Sequence, residues 1–362
     1  MIVGSVSEER NLEKRVAITP EIVKKYKGLG LEVCLSKDYA LHLGISDKDY
    51  EVEGASVLST EEEVISKSDV VLQMSVPNNQ NLNKLKEGQI LVGVLNPYSN
   101  ETKLKEIIAK NVNCFSLELL PRITRAQSMD ILSSQANLAG YKAVIDSFSY
   151  FQKAIPMMMT AAGTIPAARV LIVGAGVAGL QAIATAKRMG AIVYATDVRI
   201  ASKEQVESLG GKFLTVEGAE NLETEGGYAK EASDSFKKKQ EELLKETLKK
   251  IDIVICTALI PGKKAPIIIK KDMIDVMQTG SVIYDLAASQ GGNSELTKVD
   301  EVIDNKGVKI MGEKNILIKL PISASNLYAK NMFNFINNLF NKEKKTFEIN
   351  LDDEIIKKTK LK

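Results

Sequence analysis

Residues 169 to 197 read Arg169-VLIVGAGVAGLQAIATAKRMGAIVYAT-Asp197, and they set a strand, a turn, a helix and a second strand in immediate succession. Val170 to Val173 is an apolar run suited to a strand buried on both faces. Gly174, Gly176 and Gly179 follow it in G-x-G-x-x-G spacing, a helical pattern runs to Gly190, and Ile192 to Ala195 repeats the strand signal. Asp197 ends the segment 18 residues beyond Gly179. The whole is one βαβ unit, and it predicts an α/β protein with a mostly parallel sheet.

Each part of that unit has a physical use. Gly174 permits a tight strand-to-helix turn, Gly176 lets main chain approach a pyrophosphate, and Gly179 lets helix and strand lie close. The helix beginning at Val177 then offers free N–H groups and a positive dipole end to phosphate. Asp197 is placed to accept from both hydroxyls of a ribose and to repel a 2′-phosphate, which favours NAD(H) over NADP(H). Val198 and Arg199 adjoin the same position, and a cation there weakens the preference.

At 362 residues the chain has room for two domains, each large enough for its own core. Lysine and arginine number 48 against 46 acids, a net charge of +2 that provides no field for nucleic acid and no pull toward anionic membranes. Cys34, Cys114 and Cys256 are scattered in apolar runs and read as reduced core residues, not as a disulfide framework or a zinc site. The N-terminus MIVGSVSEER carries acids too early for a secretory signal. Val170 to Ala186 is uncharged but divides into strand, turn and helix, so direct membrane insertion is not expected.

Before the fingerprint, strands and helices alternate. Met1 to Val6, Leu31 to Leu35, Ser56 to Leu58, Val70 to Val76, Ile90 to Leu95 and Val112 to Leu117 read as strands. Thr19-Pro20-Glu21 opens a helix that Gly28 and Gly30 stop, Thr60 with Glu63 forms a capping box, and Ser99 caps a further helix. Ser133 to Phe151 is a helical connector. After Asp197 come a helix from Lys203, a strand at Lys212 to Val216, a mobile-loop composition at Glu223-TEGGYAKEAS, and a solvated helix whose inner face carries Phe236, Gln240, Leu243, Leu244 and Leu248. Ile251 to Cys256 and Ser281 to Leu286 are two more strands, and the loops after them, Thr257-ALIPG and Ala287-ASQGGN, should border the nucleotide. The tail from Ile322 is helical and returns to the first domain, while Asp352 to Lys362 reads as frayed. The expected division is 1–132 with 322–362 as an N-terminal Rossmann-like domain, and 133–321 as the nucleotide-binding one.

Pro121-RITRAQSMDILSSQAN sets Arg122, Arg125, Gln127, Asp130 and Ser133 close together after a strand end. These side chains offer guanidinium forks, an amide that matches a carboxamide, a carboxylate and a hydroxyl. They suit a ligand, or equally a polar connection held by its own salt bridges.

PRITRAQSMDILSSQANLAGY, GAGVAG with Asp197, GGYAKEASDSFKKKQ, TALIPGKKAP and DLAASQGGN together closely resemble the NAD(H)-binding domain I of the proton-translocating NAD(P) transhydrogenase alpha subunit, a family that shares its fold with alanine dehydrogenase. The resemblance runs from NLEKRVAITP to SASNLYAKN. It implies two doubly wound Rossmann-like domains linked by long helices. It also implies that Arg122, Gln127, Asp130 and Ser133 hold the nicotinamide, that Tyr228 sits on a loop closing over the nucleotide, and that Gly227, Gln240 and Leu259 make further contacts. The implied activity is hydride transfer from NADH, held between the two domains, to NADP⁺. Only one dinucleotide fingerprint is present, so NADP(H) would sit on a partner beta subunit, with the two rings roughly 3 to 3.5 Å apart at the reacting atoms. A membrane-spanning subunit, a homodimer and a peripheral place on the cytoplasmic face of the inner membrane are implied as well.

Two other readings compete. An alanine or lysine-forming amino acid dehydrogenase of this fold would need a proton-handling group, whereas hydride exchange between nicotinamides needs none. The one histidine, His42, reads as a packed loop residue. Ser75, Asn96 and Ser289 stand where alanine dehydrogenases carry a substrate lysine, a catalytic histidine and an aspartate, while Arg15 matches their substrate arginine. A regulatory module that binds NAD(H) without chemistry is the other reading.

Overall fold

Six strands, Ile2–Ser5 (β1), Glu32–Ser36 (β2), Ser56–Leu58 (β3), Val70–Leu72 (β4), Ile90–Gly93 (β5) and Asn113–Ser116 (β6), form a sheet in the order β3-β2-β1-β4-β5-β6. Every pairing in it is parallel. The buried Val70, Val71 and Leu72 show why: a strand covered on both faces needs no polar alternation. Helices Pro20–Gly28 (α1), Asp47–Val52 (α2), Glu61–Lys67 (α3), Asn79–Leu82 (α4) and Glu101–Ala109 (α5) lie between the strands. Thr60 and Glu63 form the expected reciprocal capping box on α3. Ser99 is not the cap of α5. Asn100 holds that position, and its amide turns back to the Leu95 carbonyl at 2.9 Å.

The computed structural model describes residues 1–216, 234–260 and 262–362. It divides into two units, one of 1–135 with 317–362 and one of 136–316. Asp130 starts helix Ile131–Tyr150 (α6) by accepting the Ser133 N–H at 2.9 Å. A hairpin unforeseen in the sequence, Met158–Thr160 (β7) with Gly163–Ile165 (β8), comes next.

The second unit holds strands Arg169–Val173 (β9), Ile192–Thr196 (β10), Lys212–Phe213 (β11), Ile253–Cys256 (β12), Val282–Asp285 (β13), Glu301–Asn305 (β14) and Val308–Gly312 (β15). Their order is β11-β10-β9-β12-β13-β15-β14, parallel throughout except for the β14 and β15 hairpin. Helices Val177–Arg188 (α7), Ser202–Ser208 (α8), Asp234–Leu248 (α9) and Lys271–Ile274 (α10) accompany them. Leu244 and Leu248 of α9 enter the core with Leu171, Val254 and Ile283, as the helical spacing requires. The side chain of Phe236, and the loop expected at 223–233, lie outside the described residues. Both sheets thus have the doubly wound, mostly parallel arrangement expected of Rossmann-like domains.

Helix Pro321–Leu339 (α11) belongs to the first unit, where Tyr328, Met332, Phe335 and Ile336 share a core with Val3, Ile22 and Val70. The Tyr328 hydroxyl donates to the Gln73 carbonyl at 2.7 Å. A short hairpin, Phe340–Asn341 (β16) with Thr346–Phe347 (β17), leads to helix Glu354–Thr359 (α12). The last segment is therefore ordered, contrary to the frayed tail expected from its charge. Ile355, Ile356 and Thr359 are buried, Asp353 caps the helix, and the Leu361 N–H donates to the Cys114 carbonyl of β6 at 2.9 Å. Its lysines occupy the outer face of an amphipathic turn.

Candidate functional site

In the second unit the chain builds outward from β9 to β10 and β11, then crosses to β12 on the other side of β9. A crevice forms at such a reversal, at the carboxyl ends of the strands. The glycine turn lies there. Gly174 has φ +94, and a Cβ on it would stand 2.7 Å from the Thr257 hydroxyl. A Cβ on Gly179 would stand 1.9 Å from the Gly174 carbonyl oxygen, so this residue is fixed by helix-to-strand contact. Gly176 differs: its φ is −79, and a Cβ there would meet nothing within 4 Å. The chain's own packing makes no demand for glycine at this position. Gly176 caps α7, whose first N–H groups have no intrahelical acceptor. Val177 at the helix start is 41% exposed and Leu259 in the loop after β12 is 43% exposed, giving two apolar surfaces beside the turn's elements.

Asp197 follows β10. Its carboxylate accepts from the Ala175 N–H at 2.7 Å, from the Arg199 N–H at 2.8 Å, and from Arg199 Nε and Nη2 at 3.0 and 2.9 Å. The protein itself thus engages the acid expected to take ribose hydroxyls, and the neighbouring cation sits on it. Val198 between them is half-buried. Gln240 of α9 donates to the Thr196 hydroxyl at 3.4 Å, which places it at the same strand end. Gly227 and Tyr228 lie outside the described residues.

In the first unit, Thr124–Met129 forms a 3-10 turn whose Ser128 carbonyl accepts from the amides of Asn331 and Asn334 on α11, at 2.8 and 2.9 Å. That fastens the loop. Asp130 and Ser133 meet directly, the hydroxyl donating to the carboxylate at 2.6 Å, while the Arg122 and Gln127 side chains are exposed. Arg125 is structural: it forms a bidentate pair with Asp353 and donates to Asn338. For Arg125, the reading of a polar connection held by its own salt bridges therefore holds.

The positions compared with amino acid dehydrogenases are also in the first unit, apart from Ser289, which is exposed after β13. Arg15 donates through Nε and Nη2 to Glu13 at 2.8 and 2.6 Å and through Nη1 to Gln135 at 2.8 Å. The Ser75 hydroxyl donates to Glu8 at 2.7 Å, and the Asn96 N–H donates to Glu118. Burial pushes the Glu8 carboxyl from 4.5 up to about 7, against the opposing hydrogen bonds from Ser75 and Met74, and burial also raises Glu118. Ser75, Asn96 and Ser289 thus carry no titrating side chain, and the carboxyl raised to about 7 is that of Glu8, the neighbour of Ser75. SEER reads as surface, and only where the ends of β1 and β4 meet does Glu8 become half-buried against Met74 and Ser75. His42 is exposed, not packed, with its ring nitrogen 2.7 Å from the Lys14 carbonyl. All three cysteines are buried and free, and among the described residues no acidic, histidine or cysteine cluster could hold a metal ion.

Two family models match, "Alanine dehydrogenase/PNT, N-terminal domain" over residues 4–139 and "Alanine dehydrogenase/PNT, C-terminal domain" over 143–361. A Rhodospirillum rubrum protein, described as the first part of NAD(P) transhydrogenase subunit alpha, is 48% identical over 366 residues, covering 99% of this chain and 95% of that protein. The protein of the same description from Rickettsia prowazekii is 45% identical over 361 residues, covering 99% and 93%. A solved transhydrogenase structure from Sinorhizobium meliloti superposes with a TM-score of 0.90 at 44% identity, covering 100% of this chain and 98% of that one. Full-length agreement of this kind, on a chain with an NAD-type glycine turn, places it in the alanine dehydrogenase/PNT family, and within that family among the NAD(P) transhydrogenase alpha subunits.

Proposed function

We propose that this chain is the NAD(H)-binding part of a transhydrogenase divided over several polypeptides, passing a hydride from NADH to NADP⁺ on a beta subunit while a membrane-spanning subunit couples the reaction to proton movement. The observation that carries the reading is the glycine turn tied through the Ala175 N–H to Asp197, on a chain whose full-length relatives are described as the first part of an alpha subunit. Gly176 fits the coenzyme: open space and an ordinary φ at a glycine suit a close approach by pyrophosphate.

Bound NADH supplies the hydride. The α7 amides and the Gly174 to Gly179 turn hold the pyrophosphate, and Asp197 orients the adenosine ribose once Arg199 yields part of its contact. Val177, Val198, Gln240 and Leu259 border the adenosine half. Arg122 and Gln127 orient the nicotinamide carboxamide, and Asp130 fixes the Ser133 hydroxyl beside them. The resemblance would give Gly227 and Tyr228, which lie outside the described residues, further contacts to the nucleotide. No residue handles a proton in the transfer itself, since a hydride moves between two nicotinamide carbons.

No helix among the described residues is long and apolar enough to cross a membrane. We place the chain as a homodimer, peripheral on the cytoplasmic face through its partner subunits. Mixing it with an NADP(H)-binding beta subunit and following NADH-dependent NADP⁺ reduction tests the reading, and absence of transfer with both nucleotides bound refutes it. Glu8, near neutrality beside Ser75, favours one second reading, an amino acid oxidoreductase. Alanine-dependent NAD⁺ reduction by the isolated chain would establish that instead.

A further inference from the structure

Three strand ends of the second unit are tied together by side chains that the proposed mechanism does not use. The loop after β12 begins at Thr257, whose hydroxyl lies 2.9 Å from the Gly174 carbonyl and 3.1 Å from the Val173 carbonyl. The next peptide is held on both sides by one residue from the loop after β13. Asn293 Oδ1 accepts the Ala258 N–H at 3.0 Å, and its Nδ2 donates to the Ala258 and Pro266 carbonyls at 2.8 and 2.9 Å. Asn293 is 0% exposed.

Asn293 is in turn fixed from behind. Its N–H donates at 2.7 Å to Asp285, the last residue of β13, whose carboxylate also accepts from Ala287, Ser294 and Thr297 at 2.7 to 2.9 Å. Its carbonyl accepts from Ile268 and Ile269 at 2.8 and 2.9 Å. Only an amide offers an acceptor and two donors from one planar group. Asp at this position could keep the bond from Ala258 N–H but would lose both donations, and an apolar residue would leave the Ala258 peptide unpartnered.

We infer that Asn293 is a positioning residue for the dinucleotide: by clamping the Ala258 peptide it sets the place of Thr257, and through Thr257 that of the Gly174 turn. This rests on the reading that the turn receives the pyrophosphate. The chain of contacts ends on the one glycine of the turn with a left-handed φ and on the loop that carries Leu259. A binding surface that is already in place spends less of its interaction energy on ordering. A clamp with every donor and acceptor used restricts the movement of the turn in this way.

The test uses the full chain with Asn293→Asp and Thr257→Val, singly and together, measuring the NADH dissociation constant, urea unfolding, and the KM and kcat for NADH in the reconstituted reaction. Asn293→Asp should weaken NADH binding and raise KM by roughly 10-fold or more, with kcat at saturating NADH within about twofold of wild type. Thr257→Val, which removes the same link without burying a charge, should do likewise to a smaller degree. The double variant should fall short of the product of the two effects, because both act on one linkage. Variants that unfold earlier in urea yet bind NADH as the wild type does would show a purely structural role and overturn the inference, as would effects that simply multiply. Should Asn293→Asp fail to fold, Thr257→Val decides, and wild-type affinity in it refutes the proposal. If the wild-type chain itself binds no NADH, the underlying reading falls and the inference with it. Loss confined to the variants leaves that reading standing.

Discussion

Asp197 and Arg199, two residues apart, form a bidentate pair in which Oδ1 lies 3.0 Å from Nε and Oδ2 lies 2.9 Å from Nη2. The acid also receives the Ala175 N–H from the glycine turn, so one carboxylate links the ends of β9 and β10. In the proposed coenzyme site, ribose hydroxyls would compete with the guanidinium for the same lone pairs. Asp197→Ala is expected to weaken NADH binding by about 10-fold or more, the scale of a charged hydrogen bond, and to narrow the difference between NADH and NADPH. Fluorescence titration of both coenzymes measures it. Unchanged affinities for the two would remove Asp197 from the ribose.

Two glycines of the turn should respond differently to alanine. At Gly179 the added Cβ meets the Gly174 carbonyl oxygen at 1.9 Å, so Gly179→Ala should lower the urea midpoint and impair binding together. At Gly176 nothing lies within 4 Å, so Gly176→Ala should cost no more than the roughly 1 kcal/mol of a poorer helix cap, with no change from steric clash, while NADH binding falls roughly 10-fold or more. Tight binding by Gly176→Ala would mean that no phosphate approaches this backbone.

Gln127 is exposed, on a loop fastened to α11 through the Ser128 carbonyl. Gln127→Ala should therefore not disturb folding. It should slow hydride transfer to NADP⁺ in the reconstituted system more than it weakens NADH binding, as expected of a residue that orients the ring. Stopped-flow transfer rates beside equilibrium titration separate the two, and equal losses would reduce the residue to a simple contact.

Burial raises Glu8 from 4.5 to about 7, so between those values the folded chain keeps a proton that the unfolded chain has shed. Its contribution to stability is present at low pH and is lost as pH rises through that window. Glu8→Gln copies the neutral form at every pH. Relative to wild type it should gain on the order of 2 kcal/mol between pH 5 and pH 8, read from urea unfolding at the two values. A constant difference would show that the carboxyl titrates normally.

Much of this architecture is legible in the sequence alone. The strand pattern from Val170 to Val173, the glycine spacing and the capping box at Thr60 are local signals, and β9, α7 and α3 form where those signals fall. What escapes is long-range. Ile355 and Ile356 sit among lysines and aspartates, and nothing within that segment reveals that they are buried in the first unit's core. Glu8 reads as surface until β1 and β4 pair. Asn293 looks like one more small polar residue in a glycine-rich loop, and its importance appears only when Ala258 is found beside it. Arg125 is the converse case, a ligand-like guanidinium whose partner Asp353 lies far along the chain.

The first unit is built from both ends of the chain, with residues 136–316 between its two parts. Tyr328, Phe335 and Ile336 complete the core that Val3, Ile22 and Val70 begin. During synthesis on the ribosome, the earliest residues to emerge must therefore wait. The intervening unit can close first, and the opening strands remain without their α11 partner until translation has moved more than three hundred residues onward. Order of emergence and order of completion are reversed in this polypeptide, leaving the apolar face of its first strands uncovered for longer than that of its central ones.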